Sequence, residues 1–231
     1  MTKLYKFLLD LIFPIECLSC QKEDIWLCSD CSQKIKRIKK ESCPLCGFPT
    51  ASWEFCGLHK KDFKLEKVIS PFDYNDPLLQ LAIKTYKYRF VKDLAEPLGH
   101  LLSLEAKKYF SLLQNPVLVP VPLHRRREKW RGFNQAELLA RAISKELRLP
   151  VKKLLKRVRT TTPQVDLKKE KRLENVKDAF SFDSQEKIDL KNKTIILIDD
   201  VATTCTTLEE CAKILYSNGA RNIWGLVLAR G

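Results

Sequence analysis

Pairs of metal-binding residues separated by two positions constrain the first quarter of this chain more than any other feature. Three of these pairs are Cys-x2-Cys, and the fourth ends in an imidazole. The pairs are Cys17 and Cys20, Cys28 and Cys31, Cys43 and Cys46, and Cys56 and His59. Two tetrahedral zinc ions need eight sulfur or nitrogen ligands, and a two-residue gap lets both side chains of a pair turn toward one ion. The spacing therefore predicts two zinc ions.

A disulfide framework is the alternative interpretation of these cysteines. Disulfides require an oxidising compartment, and evenly spaced pairs of this kind are more typical of zinc. Sequential pairing would give the first four ligands to one ion and the last four to the other, and interleaved pairing would use the same residues. Both fit the spacing. Because protein ligands would fill every position, we expect two structural ions in a region spanning residues 1–62.

A helical stretch precedes the predicted zinc ligands, and three large aromatic residues lie among them. Apolar residues recur at helical spacing over residues 4–12, but the stretch is too short and too polar to span a membrane or to act as an export signal. We expect a cytoplasmic protein without a transmembrane segment, with this helix packed on the rest of the chain; a membrane-surface anchor is the alternative. Trp26, Phe48 and Trp53 are expected to pack inside the small domain rather than to stack on bases.

Positive charge is concentrated in one segment of the chain. The 231 residues carry a net charge of +14, and residues 120–177 hold 18 basic and 6 acidic residues, a net charge of +12. A basic run often forms only a solvated surface, but Trp130 and Phe133 lie within this one, and clustered charge with aromatic residues suits binding to a phosphate backbone. The segment therefore predicts a polyanionic partner. With 45% hydrophobic and 30% charged residues, the composition excludes disordered and collagen-like classes.

A run of aliphatic residues, two acids and a threonine-rich turn follow one another near the C-terminus. Residues 195–198 predict a buried parallel strand, and ligands of open α/β sheets bind where such strands end, here at Asp199 and Asp200. The hydroxyl and backbone N–H groups that come next favour a phosphate. They belong to Ala202, Thr203, Thr204, Cys205, Thr206 and Thr207. The pattern predicts a sugar-phosphate site; the alternative is that one Asp and one Thr only cap the next helix.

Residues 195–207 resemble the phosphoribosyl pyrophosphate (PRPP) motif of type I phosphoribosyltransferases. The resemblance implies that Asp199 and Asp200 are the catalytic acids that bind the ribose hydroxyls. It also implies that residues 202–207 surround the 5′-phosphate and that Mg²⁺ accompanies the diphosphate. Cys205 departs from the motif, because the family usually has a glycine there, which permits unusual backbone dihedrals.

Residues 124–135 and 157–180 resemble ComF-type proteins, in which a double zinc ribbon precedes a phosphoribosyltransferase-like domain. The resemblance implies a protein of DNA uptake and natural transformation that acts at the inner face of the membrane. It implies binding of single-stranded DNA and of a PRPP-like small molecule, and a DNA-uptake channel or a helicase as protein partner. The basic residues expected at the diphosphate or the DNA are Arg125, Arg126, Arg127, Arg131, Arg159 and Arg172.

Two alternative functions fit the same motifs. The first is an active phosphoribosyltransferase, similar to amidophosphoribosyltransferases, that acts on a small acceptor. The second is an adaptor whose zinc ribbons dock another protein.

Strand and helix patterns alternate over residues 63–231. Strands are expected at residues 68–74, 117–121, 195–198 and 223–228, and helices at 77–88, 94–110, 133–147 and 206–217. The alternation predicts an α/β fold, a type I phosphoribosyltransferase-like parallel sheet flanked by helices, after an N-terminal double zinc ribbon. The polar, lysine-rich residues 159–174 are expected to form a mobile loop or a frayed hairpin over the site.

Overall fold

The computed structural model describes residues 15–111, 113–159, 177–183, 185 and 188–231. The expected helix over residues 4–12, residues 160–174 of the expected loop and Arg172 lie outside the described residues. The strands are β1 (Lys67–Ile69), β2 (Phe72–Asp73), β3 (Pro116–Pro120), β4 (Leu155–Arg157), β5 (Phe180–Phe182), β6 (Thr194–Ile198), β7 (Val201–Ala202), β8 (Asn222–Leu226) and β9 (Ala229–Arg230). The α-helices are α1 (Ser29–Lys34), α2 (Pro77–Tyr88), α3 (Ala95–Phe110), α4 (Arg125–Arg131), α5 (Gln135–Leu147) and α6 (Thr206–Ser217).

A parallel sheet with the strand order β1-β8-β6-β3 forms the centre of the molecule. All five residues of β6 are buried, because this strand lies between two neighbours and both of its faces are covered. Ile196 and Ile198 pack in a core that also contains residues of α2, α3 and α5. Ile195 and Leu197 point the other way, into a core that contains α6. The α/β architecture with a parallel sheet flanked by helices is therefore confirmed.

Two smaller sheets lie beside the central one. Strands β2, β9 and β7 form a parallel sheet in that order, beyond the carboxyl ends of β1, β8 and β6. Strands β4 and β5 pair in antiparallel fashion on either side of residues 160–176. The sequence allows a hairpin at residues 159–174, and the paired strands lie just outside those bounds.

Most of the predicted elements are confirmed, and the deviations have local causes. Helices α2 and α6 have the predicted bounds. Helix α5 begins two residues later than predicted, because the Asn134 side chain accepts a hydrogen bond from the N–H of Ala136 and caps the helix. The predicted strand 68–74 is split into β1 and β2 around Pro71, which has no N–H to continue the ladder. The last predicted strand, 223–228, forms as β8 at residues 222–226, and β9 follows it outside the predicted bounds, in another sheet.

The cysteine-rich region packs directly on the sheet and its helices. Trp53 is buried, and its indole N–H donates a hydrogen bond to the Tyr109 hydroxyl on α3. The Glu209 carboxylate on α6 accepts hydrogen bonds from the backbone N–H groups of Lys64 and Leu65, where the chain leaves this region. Phe48 is mostly exposed, so the expectation that it packs inside is wrong.

Candidate functional site

The first cysteine cluster combines two chain segments that precede and open α1. The sulfur atoms of Cys17, Cys20, Cys28 and Cys31 lie within 4.8 Å of one another. The Cys20 and Cys28 sulfurs are 3.6 Å apart. Two sulfurs bound to one tetrahedral zinc with bonds of about 2.3 Å would be about 3.8 Å apart. The cluster therefore fits a zinc ion.

The second cluster contains Cys43, Cys46, Cys56 and His59, whose ligand atoms also lie within 4.8 Å of one another. The His59 Nδ1 atom is 3.2 Å from the Cys56 sulfur and 3.6 Å from the Cys43 sulfur. The Cys46 and Cys56 sulfurs are 3.7 Å apart. Nδ1 therefore faces the ligand set, and this cluster also fits a tetrahedral ion.

One thiol in each cluster has a lowered pKa. Burial raises the pKa of the Cys17 thiol. Hydrogen bonds from the backbone N–H groups of Cys20, Cys28 and Ser19 outweigh this effect and lower the pKa to about 6. Corresponding bonds from Cys56 and Cys46 lower the pKa of Cys43 to about 6. Because the thiolate is the form that binds metal, these bonds favour zinc at neutral pH.

The structure decides between the two pairings that the spacing allows. The first four ligands form one cluster and the last four form the other, so the pairing is sequential. Each cluster offers four protein ligands, which is typical of a structural zinc site. Both clusters also contribute cysteines to the hydrophobic cores that contain the central sheet. The two zinc-binding sites are therefore part of the folded body of the protein.

The acid pair follows β6 at the edge of the sheet where the parallel strands end. Asp199 is half-buried, and its N–H donates a hydrogen bond to the carbonyl of Leu226 at the end of β8. Asp200 is only 3% exposed. Its Oδ1 atom accepts a hydrogen bond from the N–H of Val201 and lies 2.8 Å from the Lys87 ammonium. Its Oδ2 atom has no hydrogen-bond partner within the described part of the chain.

Asp199 and Asp200 differ in their electrostatic surroundings. Burial, followed by the neighbouring Asp200, raises the pKa of Asp199 to about 7. Asp200 has the closer counter-ion, Lys87. A ligand that brings a cation or hydroxyl donors to Asp199 would therefore find it close to its point of ionisation at neutral pH.

Four basic side chains and both acids line one open cavity of about 160 Å³. The basic residues are Lys87, Arg127, Arg131 and Arg157. Arg131 is 9% exposed, and its Nε atom lacks a hydrogen-bond partner among the described residues. Burial lowers the pKa of Arg127 and of Arg157, and each is further lowered by a neighbouring arginine. Cations held this close together, opposite carboxylates, suit a ligand with several negative charges and a polar body.

The predicted phosphate loop is divided between two cavities. Thr207 lines the cavity of the acid pair, whereas Thr204 and Thr206 line a cavity of about 430 Å³ beside the second zinc cluster. The Thr204 and Thr206 hydroxyls are 2.6 Å apart. Ala202 ends β7, and Thr203 follows it at a half-buried position.

Cys205 occupies the position where the resembled motif usually has a glycine. Its backbone has φ 55° and ψ 5°, the left-handed conformation that glycine adopts without strain. The side chain is buried, and burial raises the pKa of the thiol to about 12. The cysteine therefore retains the turn that a glycine would favour, and its thiol is not poised for nucleophilic chemistry.

The predicted basic residues are spread around the cavity rather than gathered inside it. Arg127 and Arg131 line it, Arg126 is exposed on α4, and Arg125 lines a neighbouring cavity of about 630 Å³. Arg159 is exposed and donates a hydrogen bond of 2.6 Å to the carbonyl of Lys177.

Lys87, Tyr88 and Arg157 are site residues that the sequence analysis does not assign. Lys87 and Tyr88 end α2, and Arg157 ends β4. These segments are distant in sequence, but all three residues line the cavity of the acid pair. The succession Tyr-Lys-Tyr-Arg at residues 86–89 is the available signal, because basic and aromatic residues alternate at a helix end. Which strand end that helix meets depends on the tertiary fold.

Two protein families match the chain in the regions that the fold and the site suggest. The double zinc ribbon domain matches residues 8–58, and the phosphoribosyl transferase domain matches residues 134–230. The chain is thus a double zinc ribbon joined to a phosphoribosyltransferase domain.

Curated relatives of this chain extend the match over most of its length. Competence protein F of Haemophilus influenzae is 32% identical over 94% of this chain and 98% of its own length. DNA utilization protein YhgH of Escherichia coli K12 is 34% identical over 87% of this chain and 89% of its own length. Competence protein ComFC of Bacillus subtilis is 29% identical over 86% of this chain and 81% of its own length. The chain belongs to the family of competence protein F and ComFC.

Among the described helices, we find none with the length and apolar character needed to cross a membrane.

Proposed function

We propose that this protein binds single-stranded DNA during DNA uptake and holds PRPP, together with Mg²⁺, in the cavity of the acid pair. Its relatives are named competence and DNA utilization proteins, which supports a role in DNA uptake. The protein would act at the cytoplasmic face of the membrane, where a DNA-uptake channel or a helicase delivers the strand. Seven of the eight zinc ligands are free cysteines, which is consistent with that reducing compartment.

The observation that carries the PRPP proposal is the convergence of opposite charges on one cavity. Lys87, Arg127, Arg131 and Arg157 would bind the diphosphate, and the Asp199 and Asp200 carboxylates would accept hydrogen bonds from the ribose hydroxyls. Oδ2 of Asp200 and Nε of Arg131 are buried polar atoms without a partner in the described residues, which is the state expected of groups that await a ligand.

The donor set also fits Mg²⁺. Carboxylate oxygens are the ligands that Mg²⁺ prefers, and it usually binds through one or two of them together with substrate phosphates. Asp199 and Asp200 are the residues that would hold it. When bound, the ion would supply neutralising charge to the diphosphate.

Calorimetric titration with PRPP and Mg²⁺ tests this part of the proposal. We expect saturable heat with the wild type, and its loss in an Asp199→Asn/Asp200→Asn variant. Asp93→Asn/Asp189→Asn is the matched control, because it makes the same change at two exposed carboxylates outside the cavity. No heat in the wild type would contradict PRPP binding. Equal heat in wild type and site variant would mean that PRPP binds without the acid pair.

The DNA proposal depends on the exposed basic side chains of α4. Arg125, Arg126 and Lys129 are exposed there, next to the cavity. Each contact with a phosphate releases counterions, so affinity for a single strand falls with salt by a log–log slope of about 0.7 per contact. Replacing these three residues by Ala should reduce the slope by up to about 2.

A charge-matched variant distinguishes this surface from general basicity. Lys191, Lys193 and Arg221 precede the amino ends of β6 and β8, at the opposite edge of the sheet. Their triple replacement by Ala removes the same charge and should leave both affinity and slope close to wild type. Equal effects of the two triple variants would show that α4 has no special part in DNA binding.

Transfer of the phosphoribosyl group to a small acceptor is a second candidate function. The neighbouring cavity of about 630 Å³ supports it, because this cavity shares Pro122, Leu123 and Arg157 with the site and has room for an acceptor. Release of pyrophosphate from PRPP in the presence of ammonia, glutamine or nucleobases is the measurement. PRPP binding without acceptor-dependent release for any of them would leave a binding function.

A further inference from the structure

We propose that Tyr88, Phe90 and Trp130 form a stacking platform for the bases of a single strand, at the rim of the acid-lined cavity. This inference rests on the proposed binding of single-stranded DNA and names the residues that would contact bases. The side chains are large and exposed: Trp130 by 64%, Tyr88 by 53% and Phe90 by 37%. We call these three residues the aromatic platform.

The rings come from two segments that are held against each other. Tyr88 ends α2 and Phe90 follows it, whereas Trp130 lies in α4. The Phe90 and Trp130 ring centroids are 4.9 Å apart with planes at 87°, an edge-to-face contact. The Arg131 guanidinium lies 5.9 Å from the centre of the Tyr88 ring, so the same helix that carries Trp130 also contacts Tyr88. The platform is therefore assembled before any ligand binds.

Phe90 adopts a backbone conformation that its residue type rarely adopts. Its φ is 60°, in the left-handed region, where a bulky side chain is an outlier. Strained backbone of this kind is concentrated at binding and catalytic sites, because the surrounding structure must maintain it. Here the conformation holds an exposed ring against another exposed ring, which contributes little to the core.

The charges around the platform favour a polyanion. Arg89, Lys92, Arg126 and Lys129 are exposed and are adjacent or close in sequence to the three rings. Within α4, Glu128 is the acidic residue among four arginines and one lysine. Aromatic rings that take up bases, beside cations that follow the backbone, are the general means of binding single strands without sequence preference. A duplex keeps its base faces stacked and could not use the rings.

The platform and the cavity share a residue. Tyr88 lines the cavity, directly after Lys87, which pairs with Asp200. A strand that stacks on the platform would therefore pass the mouth of the proposed PRPP site.

Binding to strands with and without bases tests the platform. The probes are a fluorescent thymidine strand of about 15 nucleotides, an abasic strand of the same length and the corresponding duplex. Wild type should bind the thymidine strand at least about tenfold more tightly than the abasic strand. Tyr88→Ala/Trp130→Ala leaves Phe90 as the remaining ring of the platform, so it should lose most of this preference, with the salt dependence unchanged. Trp130→Phe should retain most of the preference, because it keeps a ring.

Tyr216→Ala is the matched control. Tyr216 is also an exposed ring with cations over it, Lys64 and Arg221, but it lies in the last turn of α6, far along the chain from the platform. This variant should bind like wild type. Zinc content and the thermal midpoint of each variant show whether it is folded.

The outcomes separate the platform from DNA binding as such. If wild type binds both strands equally in a salt-sensitive manner, or if the double variant keeps the preference, DNA binding stands and the platform is wrong. If wild type binds no strand even at low salt, both proposals fail. If an acidic peptide displaces the thymidine strand as well as unlabelled strand does, the surface is a protein-docking site and the platform is also wrong.

Discussion

The Lys87 ammonium lies 2.8 Å from Oδ1 of Asp200 and connects the last turn of α2 to the acid pair after β6. Burial opposes a charged lysine, but Asp200 raises the pKa of Lys87, so the ion pair persists at neutral pH. One of two adjacent acids thus has an internal counter-ion before any ligand binds. This pair couples the stability of the fold to the charge of the site.

Removal of Lys87 alone should leave a buried carboxylate without its counter-ion. We expect Lys87→Met to lower the free energy of unfolding by about 3 kcal/mol, because breaking one side of a buried pair strands the other charge. Lys87→Met/Asp200→Asn should recover most of that loss. Urea denaturation at pH 7.5 measures both, and Lys84→Met, an exposed lysine of the same helix, is the control. Simple additivity of the two single changes would show that the charges are not coupled.

The raised pKa of Asp199 predicts a pH dependence of stability with a definite sign. The pKa is about 7 in the folded chain, compared with 3.8 as its ordinary value. Between these pH values the folded state binds more protons, so this residue's contribution to stability falls as the pH rises from about 4 to 7. Above that range the full penalty of the buried charge is present.

Asp199→Asn removes this penalty and preserves the side-chain oxygen that accepts the N–H of Asp200. The variant should therefore gain thermal stability relative to wild type as the pH rises from 4 to 8. Thermal midpoints measured across that range check it, with Asp189→Asn as an exposed control that should follow wild type. A constant or decreasing difference would mean that burial does not control this carboxyl group.

The sequence predicted the features that depend on local spacing much better than those that bring distant segments together. The eight predicted zinc ligands follow from spacing within a few residues, and the structure gathers them into two clusters that fit zinc. The bounds of α2 and α6 likewise follow from local patterns, and the structure confirms them. The contributions of Lys87 and Arg157 depend on where α2 and β4 meet the sheet, which no local spacing encodes. Thr206 and Thr207 are neighbours in α6 but line different cavities, and which cavity each one lines depends on how α6 packs in the fold.

Cys205 should tolerate glycine and resist a β-branched residue. In Cys205→Gly, relief of left-handed strain offsets the loss of a buried thiol, so stability should change by less than about 1 kcal/mol. Cys205→Val should lose about 2 kcal/mol or more, because a branched Cβ at φ 55° clashes with its own backbone. Cys211→Val makes the same change at a buried helical position of α6 and measures the cost of volume alone. Equal losses of stability in Cys205→Val and Cys211→Val would show that the Cys205 backbone is not strained.

Loss of zinc from either cluster should destabilise the whole described body, not the ribbon alone. The Arg230 guanidinium on β9 donates a 2.7 Å hydrogen bond to the Cys43 carbonyl, and Cys43 and Cys56 share a core with residues of β6 and α6. We expect about two zinc ions per wild-type chain and about one in His59→Ala or Cys20→Ser. Because the packing is shared, each variant should unfold in one transition at a lower temperature. Calorimetry with metal analysis decides this: an early, separate transition with an unchanged main one would mean that the ribbon folds independently of the sheet.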